Sequence, residues 1–377
     1  MNPALAGIAP SIIRALGARK QPGDVDLGLG EPTVRPDPAP FEAALARVRA
    51  EGCPYTPNAG DARLREAIAR AHAFPGRAEG ANVCVTVGSE EALYLAIKTL
   101  ADPARDEVLI VEPCYLAYPK LCALEGVRHR MVALDPADDF RPRADTVLAA
   151  LGPETRLVVL NTPCNPTGRV WPEAELRALA DGLLARGGEP VHVLTDEVYR
   201  ELYFTPGRPV SIAEFYPHAV VAGSLSKSNA LTGLRLGWLI GDAPTIAGAV
   251  KVHQLVNTAA STYAQWVALE IFADPSKLAE HRPLYAGRRR LLLDLLARHG
   301  LDAIAPEGAF YCFLRLPPHL AHDSLAAAER LLEEHRVVVT PGTAFGASGE
   351  GWLRLSWVAT PEDLERGIGR VAAFFGA

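Results

Sequence analysis

One lysine near the middle of the sequence stands between two apolar segments, in a setting that suits covalent chemistry. Residues 219–223 and 236–240 are predicted to be buried strands, and Lys227 lies in the loop of small polar residues between them. Burial and a neighbouring cation both favour the neutral, nucleophilic form of an amine. Arg235, in the same loop, would supply that cation. The pattern therefore predicts an amine that condenses with a carbonyl group.

The loop also predicts what kind of molecule carries that carbonyl group. A guanidinium binds phosphate, so Arg235 would hold the phosphate of a ligand whose aldehyde forms an imine with Lys227. Pyridoxal phosphate carries both groups and suits this division of labour. The alternative is a surface loop with ordinary basic residues, and the loop alone leaves that alternative open.

A strand, a glycine turn and a helix supply a candidate anion site. Residues 83–87 form a β-rich run, and Gly88-Ser89 breaks it before a predicted helix over residues 90–100. The first-turn N–H groups and the helix dipole would both face a phosphate. Many α/β proteins have such turns without a ligand, so this turn does not decide the matter by itself.

Two polar side chains follow the apolar strand predicted for residues 191–195. In parallel α/β sheets, ligands collect at the carboxyl ends of the strands. Asp196 would pair there with a protonated pyridine nitrogen and hold the charge that makes the ring an electron sink. Tyr199, about one helical turn further on, would face the same ligand. An ordinary helix N-cap explains Asp196 equally well when it is taken alone.

Three other segments carry candidate binding groups. Residues 161–168 are dense in proline and asparagine and predict a rigid turn. Tyr115 follows a predicted strand over residues 107–112, where an aromatic is more often core than cofactor platform. In the predicted strand 351–357, alternation places Arg354 on the face opposite to its leucine neighbours. A guanidinium there can bind a carboxylate through two parallel hydrogen bonds.

Length, composition and charge limit the class of protein. The 377 residues suffice for about two or three domains, and 49% hydrophobic with 22% charged residues is ordinary for a globular protein. A net charge of −6 gives no basic field for nucleic acid or an anionic membrane surface. No apolar stretch approaches the roughly 20 residues of a membrane span. The six cysteines form no CxxC pair, so we expect reduced thiols in a cytoplasmic protein and no metal site.

The lysine loop resembles the lysine signature of the class I and II aminotransferases, the fold-type I pyridoxal-phosphate enzymes. The matching positions are Ser224, Ser226, Lys227, Gly233, Arg235 and Gly237. Other segments are similar to motifs of the same family and follow in the order of that family. They are residues 30–32, 55–60, 88–90, 113–118, 161–168, 341–346 and 351–357.

The resemblance assigns roles to individual residues. It implies that Lys227 is the catalytic residue, which holds the cofactor as an imine and then moves a proton. It implies cofactor contacts from Tyr55, Ser89, Glu90, Tyr115, Asn165, Asp196, Tyr199, Ser224, Ser226, Lys227 and Arg235. It implies substrate contacts from Gly30, Asn165 and Arg354.

Some of these roles are more specific. Tyr115 is expected to stack on the pyridine ring, while Asn165 and Tyr199 hydrogen-bond the phenolic oxygen of the cofactor. Tyr55 is expected to reach the cofactor phosphate of a neighbouring subunit, which implies a homodimer with shared active sites. The carboxylate of Glu90 would repel a phosphate, so we expect its backbone N–H to bind and its side chain to point away.

The resemblance also implies an architecture. We expect an α/β fold whose large domain, residues 50–280, has a mostly parallel seven-stranded sheet flanked by helices. A small α/β domain would combine residues 1–49 with residues 281–377, and a long helix over residues 277–299 would cross between the two. The alternation of strands and helices between residues 83 and 240 supports the α/β class independently. A short helix over residues 10–18 is expected to pack on the body or on another subunit.

The function implied is a pyridoxal-phosphate-dependent aminotransferase that moves an amino group between an L-amino acid and a 2-keto acid. Two alternatives remain: a lyase with the same cofactor, acting by β-elimination or decarboxylation, and a non-catalytic sensor domain. We expect neither nucleic-acid nor membrane partners. The amino donor is not determined by the sequence, although Arg35 is a candidate cation for an acidic donor.

Overall fold

The structure, a computed structural model, describes residues 12–376. Over that range the helices are α1 (Ile12–Ala18), α2 (Ala39–Glu51), α3 (Ala62–His72), α4 (Gly88–Leu100), α5 (Ala117–Glu125), α6 (Ala144–Ala150), α7 (Glu173–Ala185), α8 (Ala243–Val256), α9 (Thr262–Phe272), α10 (Arg282–Arg298), α11 (Ser324–His335) and α12 (Pro361–Phe375). The strands are β1 (Val25–Asp26), β2 (Val83–Thr86), β3 (Glu107–Glu112), β4 (Arg128–Ala133), β5 (Thr155–Asn161), β6 (His192–Asp196), β7 (Ala219–Ser224), β8 (Gly237–Ile240), β9 (Ala303–Ile304), β10 (Tyr311–Arg315), β11 (Val337–Val338), β12 (Thr340–Pro341) and β13 (Trp352–Ser356).

The largest sheet has seven strands in the order β2-β8-β7-β6-β5-β3-β4. Strand β8 runs antiparallel to both of its neighbours, and the other pairings are parallel. This mostly parallel seven-stranded sheet with helices around it confirms the predicted α/β class. Such an arrangement gathers the carboxyl ends of successive strands at one edge, which is where ligands bind in open α/β sheets.

The central strands are apolar because both faces of this sheet are covered. Val158 and Val193 pack into the core on one face, while Val159 and Leu194 pack into the core on the other. All four side chains are at most 1% exposed. Continuous apolar runs rather than strict alternation are the sequence pattern of a strand buried on both faces.

A second, antiparallel sheet of four strands has the order β12-β13-β10-β9. It shares a separate hydrophobic core with α10 and α12, in which Tyr285, Leu355 and Ile368 are fully buried. Strands β1 and β11 pair in parallel, which joins an early segment of the described chain to its C-terminal part. This small layer lies opposite the carboxyl edge of the large sheet and supplies one wall of the site described below.

Two predicted elements differ in the structure. The helix predicted for residues 277–299 begins only at Arg282, after a separate 3-10 turn at Pro275–Ala279. Pro283 lacks an N–H and is tolerated only in the first turn of a helix, so the helix restarts there. The mostly apolar residues 337–340 predict one short strand, but the structure divides them between β11 and β12, which belong to different sheets. Part of the helix predicted for residues 10–18 lies outside the described residues, and the remainder is α1.

Two features of the chain bear on its surroundings. No helix within residues 12–376 combines the length and the apolarity that a membrane crossing requires. All six cysteines are free thiols, and Cys53 is the one that is exposed.

Candidate active site

A cavity of about 520 Å³ lies between the carboxyl edge of the large sheet and the four-stranded sheet. Strands β5 and β6 end at its wall with Asn161 and Asp196, while Tyr311 and Arg354 reach it from β10 and β13. Most of the residues proposed from the sequence line this one cavity. They are Gly30, Ser89, Glu90, Tyr115, Asn165, Asp196, Tyr199, Ser226, Lys227, Arg235 and Arg354.

The lysine is held at the cavity wall by the segment that follows β1. Its Nζ donates a hydrogen bond to the carbonyl oxygen of Gly30 at 2.8 Å. Two serines shape the loop: Ser224 donates to the carbonyl oxygen of Leu236 at 2.7 Å, and its Oγ lies 2.8 Å from that of Ser226. Ser224 is thus buried behind the loop and does not line the cavity. Among the residues that the structure describes, the neutral carbonyl of Gly30 is therefore the only hydrogen-bond acceptor of this amine.

The arginine of the same loop packs against the beginning of α4. A Cβ atom added at Gly88 would lie 2.5 Å from Nη2 of Arg235, and one added at Gly237 would lie 2.6 Å from the backbone nitrogen of Ser89. Gly88 also has a φ of +79°, a conformation that glycine adopts readily. Only glycines allow this close approach of a guanidinium to the first-turn N–H groups of a helix. Cation, helix dipole and first-turn amides together form a cradle for an anion.

The two glutamates of the first turn of α4 have different surroundings. Glu91 is buried, and its carboxylate accepts hydrogen bonds from the Val87 N–H at 2.5 Å, from Asn257 at 2.6 Å and from His253 at 2.8 Å. Burial acts to raise the pKa of Glu91, but these hydrogen bonds outweigh it and the pKa is lowered. Glu91 therefore stabilises the helix start from behind the cavity.

Glu90 is exposed and lines the cavity. Its carboxylate accepts a hydrogen bond from the hydroxyl of Tyr115 at 3.1 Å. A hydroxyl donor on the neighbouring wall thus holds the carboxylate in place within the cavity. The orientation of this side chain away from a bound phosphate stays a prediction. Tyr115 in turn contacts Tyr118 edge to face, with the ring centroids 5.8 Å apart.

Asp196 is buried at the end of β6 and accepts two hydrogen bonds. Tyr118 donates its hydroxyl to Oδ2 at 2.7 Å, and the Val198 N–H donates to Oδ1 at 3.2 Å. Burial raises the pKa of Asp196 to about 6, although both hydrogen bonds act to lower it. A cation at this position would remove the cost of the buried charge. Tyr118 received no role from the sequence, although it stands in the same segment as Tyr115.

Arg354 is 2% exposed and faces the cavity from β13. It donates to Asn165 Oδ1 at 3.0 Å, to Thr340 Oγ1 at 3.2 Å and to the carbonyl oxygen of Gly28. Its guanidinium carbon lies 4.3 Å from the ring centroid of Tyr311. Its Nε is buried and has no hydrogen-bond partner among the described residues. Burial lowers the pKa of Arg354, and the acceptors around it are all neutral, so its charge is available to a carboxylate ligand.

Sequence reasoning gave no role to Tyr311, which is central to this wall. Its hydroxyl lies 2.9 Å from that of Tyr199. It would also lie 1.9 Å from a Cβ atom at Gly30, which explains why glycine is needed there. The sequence predicts a strand over residues 309–316, in which an aromatic side chain such as Tyr311 is normally part of the core. A role for Tyr311 in the site becomes evident only when the structure places that strand opposite Gly30.

Besides Ser224, two residues proposed from the sequence lie outside the cavity. Tyr55 is 87% exposed and does not line the cavity of its own chain. Arg35 is exposed and is not among the lining residues either. The structure therefore does not bring Arg35 to the place where an acidic donor would need it.

Comparisons with known proteins agree with this geometry. The sequence profile of the family described as aminotransferase class I and II matches residues 23–371, and the chain belongs to this family. An aspartate/prephenate aminotransferase of Thermus thermophilus is 35% identical over 379 residues, covering 96% of this chain and 94% of that protein. An arginine–pyruvate transaminase of Pseudomonas aeruginosa is 33% identical over 353 residues, covering 92% and 88%.

Solved structures give the same result. The aspartate aminotransferase from Thermus thermophilus with maleate superimposes with a TM-score of 0.91 at 33% identity, and the match covers 99% of each chain. The seven-stranded sheet and the small layer are therefore those of an aminotransferase fold.

Proposed function

We propose that this chain is a pyridoxal-phosphate-dependent aminotransferase that moves an amino group between an L-amino acid and a 2-keto acid. The observation that carries the proposal is the convergence of Lys227, Asp196, Arg235 and Arg354 on one cavity. An amine, a buried carboxylate, an anion cradle and a second cation are the four groups that this chemistry requires of the protein.

The residues present fit the cofactor. Arg235, Ser226 and the backbone N–H groups of Ser89 and Glu90 would hold its phosphate, in the cradle that a Cβ atom at Gly88 would fill. Asp196 would bind its pyridine nitrogen. Burial raises the pKa of this carboxyl group, and a cationic nitrogen would offset the cost of its buried charge. Tyr115 would cover the ring, while Asn165 and Tyr199 would hydrogen-bond its phenolic oxygen. When bound, pyridoxal phosphate supplies an aldehyde for amines and a ring that accepts an electron pair.

The protein's own residues then orient the substrate and move the proton. Arg354 would bind the α-carboxylate, since its side chain lines the cavity and all of its hydrogen-bond acceptors in the described chain are neutral. Asn165 accepts a hydrogen bond from Arg354 and fixes the plane of the guanidinium. Lys227, released from the carbonyl oxygen of Gly30, would act as the base that removes the proton from the substrate Cα. Positioning of this kind is worth several orders of magnitude in rate.

We also propose that the protein acts as a homodimer in which Tyr55 contributes to the neighbouring active site. Tyr55 is 87% exposed on one chain, as is Leu255, and both are large apolar side chains. Hydrogen bonds from Thr262 to Pro54 and from Asn58 to Thr258 bring their two segments together. An exposed patch of this kind is typical of an interface.

Two further assignments belong to the same proposal. The large domain would comprise residues 50–280, and the small domain would comprise residues 1–49 together with 281–377. The free cysteines fit a reducing compartment, so we place the protein in the cytoplasm.

The proposal is tested by replacing the lysine. We expect Lys227→Ala to abolish amino transfer and the visible absorbance of the cofactor–lysine imine, because no other amine in the described cavity can replace Nζ. The exposed Lys251→Ala is the control and should retain both. Turnover by Lys227→Ala at the rate of the control would contradict the proposal.

The products of the same assay separate the aminotransferase from a lyase. An aminotransferase forms a keto acid only when an acceptor keto acid is present. A lyase releases ammonia or carbon dioxide without an acceptor. That result would show that the reaction is an elimination or a decarboxylation and not an amino transfer.

A further inference from the structure

We propose that the amino donor of this protein carries a cationic group at the end of its side chain, and that Glu90 binds this group. The inference rests on the proposed function, because it concerns the donor of that reaction. It begins with the charges that line the cavity.

Most of the charged lining residues already have a task in the proposed function. They are Lys227, Asp196, Arg235 and Arg354. The lining residues left for the side chain of the donor include the carboxylates of Glu31 and Glu90 and the guanidinium of Arg14. Two carboxylates against one guanidinium make this part of the wall acidic on balance. A cationic side chain would be attracted to it, and an acidic side chain would be repelled.

The position of Arg354 shows independently that a ligand with a carboxylate is expected in this cavity. The side chain is 2% exposed, and its Nε has no hydrogen-bond partner among the described residues. No carboxylate of the described chain lies within ion-pair distance of it. A buried cation without a counter-ion is costly, and the carboxylate of a ligand would offset that cost. The donor is thereby anchored at one end, and its side chain is free to reach another wall.

Glu90 is suited to bind that side chain. Its carboxylate is exposed in the cavity and is held by the Tyr115 hydroxyl at 3.1 Å. It also contributes to the negative potential at Asp196, so it lies within the field of the site. A carboxylate that accepts one hydroxyl proton has lone pairs left for an ammonium or guanidinium. Charge-assisted hydrogen bonds of this kind are roughly twice as strong as neutral ones.

The first turn of a helix often carries an acidic residue for its dipole alone. In α4 that role belongs to Glu91, which is buried and accepts the Val87 N–H. Glu90 is therefore not needed to stabilise the helix start. Glu31, next to Gly30, accepts a hydrogen bond from Thr232 at 2.6 Å and adds a second carboxylate to the same cavity.

The experiment compares donors that differ only in the distal charge. Holoenzyme is assayed with L-lysine, L-ornithine and L-arginine, with the neutral isosteres L-norleucine and L-norvaline, and with L-glutamate and L-aspartate. We expect kcat/KM for at least one cationic donor to exceed that for its neutral isostere about tenfold or more. In Glu90→Gln this ratio should fall close to one. The exposed Glu365→Gln carries the same change of charge and should leave the ratio unchanged.

A binding measurement supplements the assay without relying on turnover. 6-Aminohexanoate has a carboxylate and a distal ammonium but no α-amino group, and hexanoate lacks the ammonium. Calorimetry should show tighter binding of 6-aminohexanoate to the wild-type holoenzyme, and Glu90→Gln should remove the difference. If Glu90→Gln does not fold, the comparison of the two acids on the wild-type protein still decides.

The outcomes separate this inference from the proposed function. Equal or better kcat/KM for the neutral or acidic donors overturns the inference, as does an unchanged ratio in Glu90→Gln. Either result would leave the aminotransferase assignment in place. Absence of amino transfer from every donor would overturn the proposed function instead.

Discussion

Two of the arginines that line the cavity, Arg354 and Arg235, have opposite surroundings. Arg354 is buried against the rings of Tyr311 and Phe345, and three neutral oxygens accept its hydrogen bonds. Arg235 is exposed and donates from Nη1 to the carbonyl oxygen of Thr232 at 3.0 Å. The guanidinium of Arg354 is fixed in a wall that is almost closed to solvent. The guanidinium of Arg235 lies in an exposed position at the beginning of α4.

The difference indicates which ligand group binds at each end of the cavity, the Arg354 end and the Arg235 end. A fixed, desolvated guanidinium without a counter-ion suits a single planar carboxylate, because orientation and charge are already in place. An exposed guanidinium beside free backbone N–H groups suits a larger anion such as a phosphate, whose charge is shared among several donors. The Arg354 end should therefore control catalysis on the substrate, and the Arg235 end should control retention of the cofactor.

The largest expected effect follows from changing the buried arginine. Arg354→Lys keeps the charge but loses the planar pair of donors, so we expect kcat/KM for the preferred L-amino acid to fall by about 1,000-fold. The affinity for the cofactor should change little. Steady-state kinetics at saturating cofactor measures the first quantity, and the exposed Arg298→Lys serves as the control. A loss of cofactor affinity with unchanged kcat/KM would reverse the comparison.

The second prediction uses the buried carboxyl group at the end of β6. Burial raises the pKa of Asp196 to about 6 from an ordinary value near 3.8. The folded protein thus binds this proton more tightly than the unfolded chain, so the stability contributed by this group falls as pH rises from about 4 to about 6. Above that range the buried charge costs up to about 3 kcal/mol, at about 1.4 kcal/mol per unit of pKa.

Asp196→Asn removes that charge. In the cofactor-free protein we expect the variant to be more stable than the wild type at pH 8, by up to about 3 kcal/mol, and to show no such advantage at pH 4. Urea unfolding at the two pH values measures the difference. The same difference at both pH values would show that the charge of Asp196 is not its origin.

The smallest expected effect concerns the open end. In Arg235→Gln the helix terminus and the Ser226 hydroxyl remain, so we expect the dissociation constant of the cofactor to rise by about tenfold only. At saturating cofactor, kcat/KM should stay within a few-fold of the wild-type value. Titration of the cofactor-free protein followed by absorbance gives the constant. A fall in kcat/KM as large as that of Arg354→Lys would show that the two ends are not separate.

Much of the fold could be predicted because its central strands are uniformly apolar. The sequence predicts strand β3 with its observed bounds, and β6 to β8 within a residue or two. Strand β4 offers no such signal, because His129 and its two arginine neighbours are exposed at the edge of the sheet. The break before α10 depends on a proline whose effect is clear only once the start of the helix is known.

Some residues of the site could likewise be predicted from the sequence, whereas others could not. Lys227, Arg235 and Arg354 carry reactive or charged groups within recognisable segments, and the structure brings all three to one cavity. Tyr311 and Tyr118 act by contacts with segments distant in the sequence, with Tyr199 and Asp196 respectively, and local sequence does not reveal such contacts. The orientation of Glu90 was also beyond sequence reasoning, since it depends on a hydroxyl from another segment.

The central claim is that the amine of Lys227 is the one that binds the cofactor aldehyde. Incubation of the purified protein with pyridoxal phosphate, reduction with borohydride and peptide mapping by mass spectrometry test it directly. We predict one phosphopyridoxyl group per chain, on the peptide that contains Lys227. A group on a different lysine, or no modified lysine at all, would contradict the account.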